Sequence, residues 1–310
     1  MLHHPFVSIC VPAYQYPDLL LRNLQSILSQ SFTSFEVIVT DDSDHDKLKL
    51  VVEELGDERI RYFKNQPSLG SPANWNEGIK HATGSWIKMM HHDDWFSNDQ
   101  ALQSFVDEVA KNASVDFVFS NFNKSTPKGI FPNKLLNRTY LQKIAFCPST
   151  LLYLNGIGAP STTMFRHKKQ NILFDINSKW YVDVLFYGCL LRNGSSVSYI
   201  RQPLLNVTAA SATQVTANTN GLVKVKEALY AFKEFGYFKK GSMPLLLFIH
   251  FIELFRRYHI KADQFIGLED NKLVQAKLKT ALWIARIPIN YRFLASVRVF
   301  VIKYVPTFKR

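Results

Sequence analysis

The chain has 310 residues, 47% of them hydrophobic, enough for a full buried core and too apolar for wholesale disorder. Its net charge of +12 is unevenly placed: residues 222–310 carry 17 Lys and Arg against 6 Asp and Glu, whereas residues 1–221 carry 20 against 19. Three cysteines without paired or metal-type spacing argue against a disulfide scaffold, and the basic excess comes with no recognised nucleic-acid motif, so no nucleic-acid partner is expected.

In chain order, Phe6-Val7-Ser8-Ile9-Cys10-Val11-Pro12 reads as a short buried strand closed by proline. It opens so early that no secretory signal is expected, and a reducing cytosol suits the cysteines. Leu19, Leu20, Leu24, Ile27 and Leu28 then recur at helical spacing. Phe35 to Thr40 is a second strand, delivering Asp41-Asp42-Ser43, and a helical run follows around Leu48 to Leu55. Arg59 to Lys64 makes a third strand, Ala73 to His81 a helix, and Trp86 to Met90 a fourth strand that runs into His91-His92-Asp93-Asp94. Alternating βαβα implies a largely parallel sheet, whose ligands bind beyond the carboxyl ends of its strands. Asp41, Asp42, Asp93 and Asp94 all fall at such ends.

Adjacent carboxylates suit a hard divalent ion such as Mg²⁺ or Mn²⁺, which takes one or two protein carboxylates and leaves its other positions to water and phosphate oxygens. A nucleotide diphosphate is held in that way. The competing reading has Asp93 and Asp94 opening a helix that starts near Ser97-Asn98. His91 and His92 are weaker metal candidates, because a pair of imidazole ligands must present both rings on one side.

Further along, Gly156 to Arg166 reads as loop then strand, and Trp180-Tyr181-Val182-Asp183-Val184-Leu185-Phe186 starts a helix running to Asn193-Gly194. Ser195 to Ile200 and Leu204 to Val207 read as two strands, with Ser211 and Thr213 beyond. In the basic tail, Pro244 to Arg257 places His250, Glu253, Arg256 and Arg257 on one helical arc with apolar residues around the rest. Trp283 to Arg286, and Phe293 to Tyr304 with Arg298 and Lys303, repeat that mixture. Neither run reaches the roughly 18 apolar residues of a spanning helix. Helices lying on an anionic membrane surface are expected, the alternative being helices packed on the rest of the protein with their lysines in solvent.

Four blocks, in order, resemble the family 2 glycosyltransferases, inverting enzymes with the A-type, Rossmann-like nucleotide-sugar-binding fold. They are Val7 to Tyr14, Phe35 to Ser43, Leu69-Gly70 through Asn74-Trp75-Asn76-Glu77-Gly78-Ile79 to Gly84, and His91 to Asp94. The resemblance implies that Tyr14 stacks on the nucleotide base and that the Asp42 carboxylate accepts from an imide N–H, as uracil provides. It puts Pro12, Asn76, His92 and Asp93 along the donor, and Asp93 and Asp94 on a divalent metal, Mn²⁺ or Mg²⁺. The block Trp180 to Phe186 is similar to the family's base motif, with Val182 in place of the first acid and Asp183 keeping the second, so Asp183 is the candidate catalytic base. Other departures are His91, where relatives commonly have an acid, Trp75 in place of an arginine, and Asn206 and Thr208 in place of an arginine and a histidine. Arg201 is available to compensate on the diphosphate.

The expected architecture is therefore an α/β, Rossmann-like catalytic domain over residues 1–221, divided at 122 and 123 into nucleotide-sugar and acceptor-side halves. A basic amphipathic helical extension over 222–310 completes it. The expected function is transfer of a sugar from a nucleotide-sugar, UDP-linked by preference, to a glycan or lipid-linked acceptor in cell-surface polysaccharide synthesis at the inner face of a membrane. A sugar-nucleotidyltransferase is the alternative, disfavoured because no glycine-rich loop follows Val11-Pro12, and an inactive nucleotide-sugar-binding module is another. The oligomeric state, the donor sugar and the linkage are not encoded in any motif.

Overall fold

The computed structural model describes residues 4–167, 172–209, 219–238, 243–261 and 271–287, together with 293, 296, 299, 300 and 302. Two compact units make up the chain, and neither is one continuous stretch. The first comprises residues 1–135, 157–177 and 189–214; the second comprises 136–156, 178–188 and 215–310.

The first unit opens with β1 (Val7–Ala13), every residue of which is buried, as a central strand covered on both faces requires. Pro17, with φ preset for a first helical turn, starts α1 (Pro17–Leu28), and Leu20, Leu24 and Ile27 form its buried stripe. β2 (Phe35–Asp41), α2 (Lys47–Leu55), β3 (Ile60–Lys64), α3 (Ala73–His81) and β4 (Trp86–Met89) follow. Gly56 ends α2 in the left-handed conformation at φ +58°, where a side chain would be strained. After β4 come β5 (Trp95–Phe96), α4 (Ala101–Lys111), β6 (Val115–Thr126), β7 (Gly129–Pro132), a 3₁₀ turn (Pro160–Thr162), β8 (Thr163–Arg166) and β9 (Ser196–Thr208).

These strands form a nine-stranded sheet in the order β3-β2-β1-β4-β8-β6-β9-β5, with β7 on β6. β3, β2, β1 and β4 are mutually parallel, as the βαβα pattern requires. β8 is antiparallel to both β4 and β6, and β6 runs parallel to β9. Because the chain moves outward from β1 to β3 and then returns to place β4 on the other side of β1, strand order reverses there. Crevices for ligands open at such reversals, beyond the carboxyl ends of the strands. Leu20, Leu24, Phe105, Val118 and Met164 pack in one core with the alternate residues Val7, Ile9, Val11 and Ala13 of β1 and Phe35, Val37 and Val39 of β2.

Two details differ from the sequence reading. No helix opens near Ser97: Trp95 and Phe96 pair with Asn206 and Leu205 as an edge strand, and α4 starts only at Ala101. The two strands read between 195 and 207 are a single β9, whose pairing with β6 shifts register around Asn121, beside Pro203. A proline cannot donate to the ladder, and a bulge accommodates it.

The second unit is helical among its described residues: α5 (Arg138–Phe146), α6 (Thr150–Tyr153), the first turns of α7 (Val182–Arg192), α8 (Gly221–Glu234), α9 (Leu245–Arg257) and α10 (Lys272–Ala285). The polar arc read on α9 does not face solvent as a whole. His250 and Glu253 are buried with Leu247, Phe251, Leu254 and Phe255, and His250 Nε2 lies 3.0 Å from the Tyr181 hydroxyl. A hydrogen-bonded imidazole can enter a core that an unpaired one could not. Among the described residues no helix is long and apolar enough to cross a membrane, and no disulfide joins any of the three cysteines. Arg298, Lys303, Ser211 and Thr213 lie outside the described residues.

Candidate active site

At the end of β2 two neighbouring acids have different tasks. Asp41, fully buried, accepts from Tyr62 Oη (2.6 Å), Lys64 Nζ (3.0 Å) and the Ser43 amide (2.8 Å), which ties β2 to β3. The Asp42 carboxylate is caged by the loop before α3. It accepts from Ser68 Oγ, Leu69 N and Gly70 N, each at 2.7 Å, and from Asn65 Nδ2 at 3.0 Å. Burial raises the Asp42 pKa, but these bonds outweigh it and hold the carboxyl below its usual range. A base imide would therefore meet a carboxylate that is ionised and fixed, with its acceptor positions shared with the loop.

Tyr14, just past β1, is 47% exposed, so its ring is open to a stacking partner. Its hydroxyl accepts from Gln15 Nε2, and Gln15, at φ +61°, is anchored through its amide to Ser43 Oγ at 2.7 Å. The Tyr14 and Asp42 segments are thus tied together.

The loop after β4 is held from several sides. Asn23 Nδ2 donates to the carbonyls of His91 (2.9 Å) and Asp94 (2.7 Å), and Arg22 donates to the Asp93 carbonyl at 3.0 Å while lying over the Trp95 ring. Ser161 Oγ accepts from the His91 amide at 2.9 Å, and the Thr208 amide donates to Asp94 Oδ1 at 2.8 Å. One ligating atom from each of His91, Asp93 and Asp94 lies within 4.8 Å of the others. Burial, then the charge of Asp93, pushes the Asp94 carboxyl up, and burial pushes the His91 imidazole down. His91 Nε2 is buried without a hydrogen-bond partner among the described residues. Two carboxylates and an imidazole with an orphaned nitrogen fit a divalent ion. His92 turns elsewhere: its ring donates to the Pro12 carbonyl and stacks on Tyr16, centroids 6.5 Å apart.

Beneath this loop sits a residue that sequence reasoning passed over. Lys88, fully buried in β4, donates to the carbonyls of Met89 and Ser161, and burial pushes its pKa down to about 7. A lysine within an apolar strand was the available signal. Ser161, Asn23 and Arg22 carried none, because they act through tertiary neighbours. On α3, Trp75 packs against His91 at 4.5 Å between centroids and edge-on against Phe174. Asn76 is buried, its amide paired at both ends with the Phe174 backbone at 2.8 Å.

In the second unit, Asp183 stands in the first turn of α7. Oδ2 accepts from Asn155 Nδ2 and Oδ1 from the Val184 amide, each at 2.8 Å, yet burial dominates and raises its pKa to about 7. The start of this helix is capped by a remote acid. Glu227 Oε2, from α8, accepts from Ser178 Oγ (2.8 Å) and from the amides of Lys179 (2.9 Å), Trp180 (2.6 Å) and Tyr181 (3.2 Å). A carboxylate at orphaned helix-start amides is favoured by both hydrogen bonding and the helix dipole. Gly188 matters too, since a Cβ there would lie 2.1 Å from the Phe235 ring.

Comparison with known proteins agrees with this geometry. Residues 8–169, more than half the chain, match the family described as Glycosyl transferase family 2. The Escherichia coli UDP-Glc:alpha-D-GlcNAc-diphosphoundecaprenol beta-1,3-glucosyltransferase WfgD is 26% identical over 174 residues, covering 54% of this chain and 68% of that protein. A GalNAc(5)-diNAcBac-PP-undecaprenol beta-1,3-glucosyltransferase of Campylobacter jejuni is 38% identical over 93 residues, 29% of this chain and 30% of that protein. Among solved structures, Staphylococcus aureus TarS 1-349 in complex with UDP-GlcNAc superposes with a TM-score of 0.59 at 16% identity, covering 94% of this chain and 90% of that one. The mannosyltransferase PcManGT of Pyrobaculum calidifontis, in complex with GDP-Man and Mn²⁺, gives 0.54 at 15% identity, covering 97% and 81%. The chain thus belongs to glycosyl transferase family 2 and is a glycosyltransferase of the A-type fold.

Proposed function

We propose that this enzyme transfers a sugar from a UDP-sugar to a lipid-linked glycan acceptor with inversion at the anomeric carbon, in cell-surface polysaccharide synthesis. The observation that carries the reading is the grouping, at the carboxyl ends of β1, β2 and β4, of an exposed Tyr14, the ionised Asp42 and the His91–Asp94 loop. The UDP-Glc donor and diphosphoundecaprenol acceptor in the name of the E. coli relative support the substrate classes.

In this reading Tyr14 covers one face of the base, and Asp42, held ionised by its cage, selects a base that carries a donor on its edge. Asp93 and Asp94 hold a divalent ion, Mn²⁺ or Mg²⁺, which when bound offsets the charge on the leaving diphosphate. Asp183 takes the proton from the acceptor hydroxyl as its oxygen forms the new bond to the anomeric carbon and the bond to the diphosphate breaks. A base with a pKa near 7 is matched to that task at neutral pH. Asn76, engaged with Phe174, serves this site by holding α3 in place.

The basic tail adsorbs on an anionic membrane, at the inner face, where a lipid-linked acceptor is presented. Exposed Trp283 on α10, near Lys277, Lys279 and Arg286 in sequence, combines an apolar ring with cations, as interfacial segments do. On α9, His250 and Glu253 are buried, which leaves Arg256 and Arg257 as the cations of its arc that can reach such a surface.

The test is slow hydrolysis of UDP-, GDP- and dTDP-sugars without acceptor, with and without Mn²⁺. Release of UDP from a UDP-sugar that depends on the metal is expected. Formation of a nucleotide-sugar from a sugar phosphate and UTP would favour a nucleotidyltransferase, and nucleotide-sugar binding without any turnover would favour a binding module.

A further inference from the structure

The sequence sets His91 where relatives commonly carry an acid, and its neighbours give that exchange a chemical meaning. Its backbone is fixed at both ends, the amide on Ser161 Oγ and the carbonyl on Asn23, so the residue does not swing with a loose loop. Its ring leans on Trp75 at 4.5 Å, which limits its rotamers. Trp75 in turn packs edge-on against Phe174, so an aromatic wall backs the His91 ring.

Both histidines of this loop have a buried Nε2 without a hydrogen bond among the described residues, but their surroundings differ: the His92 ring donates to the Pro12 carbonyl and faces the Tyr16 ring. His91 keeps Nε2 buried and without a hydrogen bond among the described residues, while one of its ring nitrogens lies within 4.8 Å of carboxylate oxygens of Asp93 and Asp94. A buried polar atom without a partner costs about 1–3 kcal/mol, a cost that a bound ligand relieves. Ligand atoms around one ion with bonds of about 2.1 Å lie about 3 Å apart when adjacent and about 4.2 Å when opposite. Separations of up to 4.8 Å therefore require the three groups to close by up to about 2 Å around a common ion.

We propose that His91 is a direct ligand of the divalent ion beside Asp93 and Asp94, and that this nitrogen makes the site select a transition-series ion over Mg²⁺. The inference rests on the metal reading of the two aspartates. Mg²⁺ demands oxygen ligands in near-ideal octahedral geometry, whereas imidazole suits the borderline ions of the first transition row. An all-oxygen motif accepts Mg²⁺ and Mn²⁺ alike. Substituting one nitrogen tilts that balance without removing either carboxylate.

The experiment uses the full chain, stripped of metal and titrated with Mn²⁺, alone and with UDP, while free Mn²⁺ is followed by electron paramagnetic resonance. The bound ion is then examined by spin-echo modulation, and Mg²⁺ is added as competitor. Coupling from a directly bound imidazole ¹⁴N is expected in the wild type, and Mn²⁺ should be preferred over Mg²⁺ by about tenfold or more. His91→Asp should lose the coupling and narrow the preference, while His92→Gln should retain the coupling. Bound Mn²⁺ without nitrogen coupling in the wild type would overturn the role of His91 and leave the aspartate site standing. No Mn²⁺ binding, with or without UDP, would overturn both.

Discussion

Asn155 donates its side-chain amide to Asp183 at 2.8 Å, supplying one of three hydrogen bonds that favour the charged carboxylate against the burial that disfavours it. Burial wins, and the group titrates at about 7. A base acts only when deprotonated, so transfer should fall about tenfold per pH unit below that point and level off above it. Asn155→Ala removes a bond to the charged form, so its inflection should move to higher pH. Profiles of kcat against pH for the two proteins check this.

Asp183→Asn should cut transfer by about 10² to 10⁴ while leaving donor binding intact. Its effect on stability has a definite sign. The folded-state pKa, about 7, lies above the ordinary value of an aspartate, so the wild type loses stability as pH rises from about 4 to 7. The asparagine variant lacks that loss. Melting temperatures at pH 5 and pH 8 should converge in the variant relative to the wild type.

Asp93→Asn should keep the fold yet abolish the metal-dependent part of UDP binding, since an amide lacks the charge that complements the cation. Thermal shift with UDP, with and without Mn²⁺, measures it. Unchanged metal dependence would remove Asp93 from the ion.

Glu227→Ala strips one acceptor from Ser178 Oγ and three helix-start amides, and should destabilise the second unit by about 2–4 kcal/mol in urea denaturation. Glu227→Gln keeps an acceptor oxygen but loses the charge, and should cost less than half as much. Equal losses in the two variants would mean that charge, not acceptance, is what the helix start uses.

For the tail, flotation with vesicles should show binding to anionic but not neutral lipid, weakened and not abolished by high salt. Trp283→Ser should reduce the salt-resistant fraction, because the exposed indole supplies apolar burial that salt does not screen. No flotation with either lipid would leave the tail as a packed extension alone.

β1, β2 and β4 were legible because each signal is local: largely apolar runs for strands buried on both faces, with 3.6-residue spacing between them; β3, at the sheet edge and half-buried, mixes Ile60, Tyr62 and Phe63 with Arg61 and Lys64. The helix from Ala73 to His81 has the bounds its sequence suggests. The candidate residues of the His91–Asp94 loop were legible as types at strand ends, but their supports were not. Ser161 and Thr208 come from a distant turn and a distant strand, and spacing says nothing about a partner 70 or 114 residues away. Likewise, the arc of His250 and Glu253 has the periodicity of a solvent face. Whether such an arc meets water or a hydroxyl such as that of Tyr181 is decided by tertiary packing.

The cap on α7 also sets an order of events during synthesis. Trp180 leaves the ribosome 47 residues before Glu227, so the helix that carries Asp183 emerges with its first amides open and acquires its carboxylate on the order of seconds later. Until then the nascent chain can complete the nucleotide-side strands but cannot lock the segment that holds its base. A chain stalled or clipped before α8 would retain Tyr14, Asp42 and Asp93 and lack the acceptor that four donors ahead of α7 share.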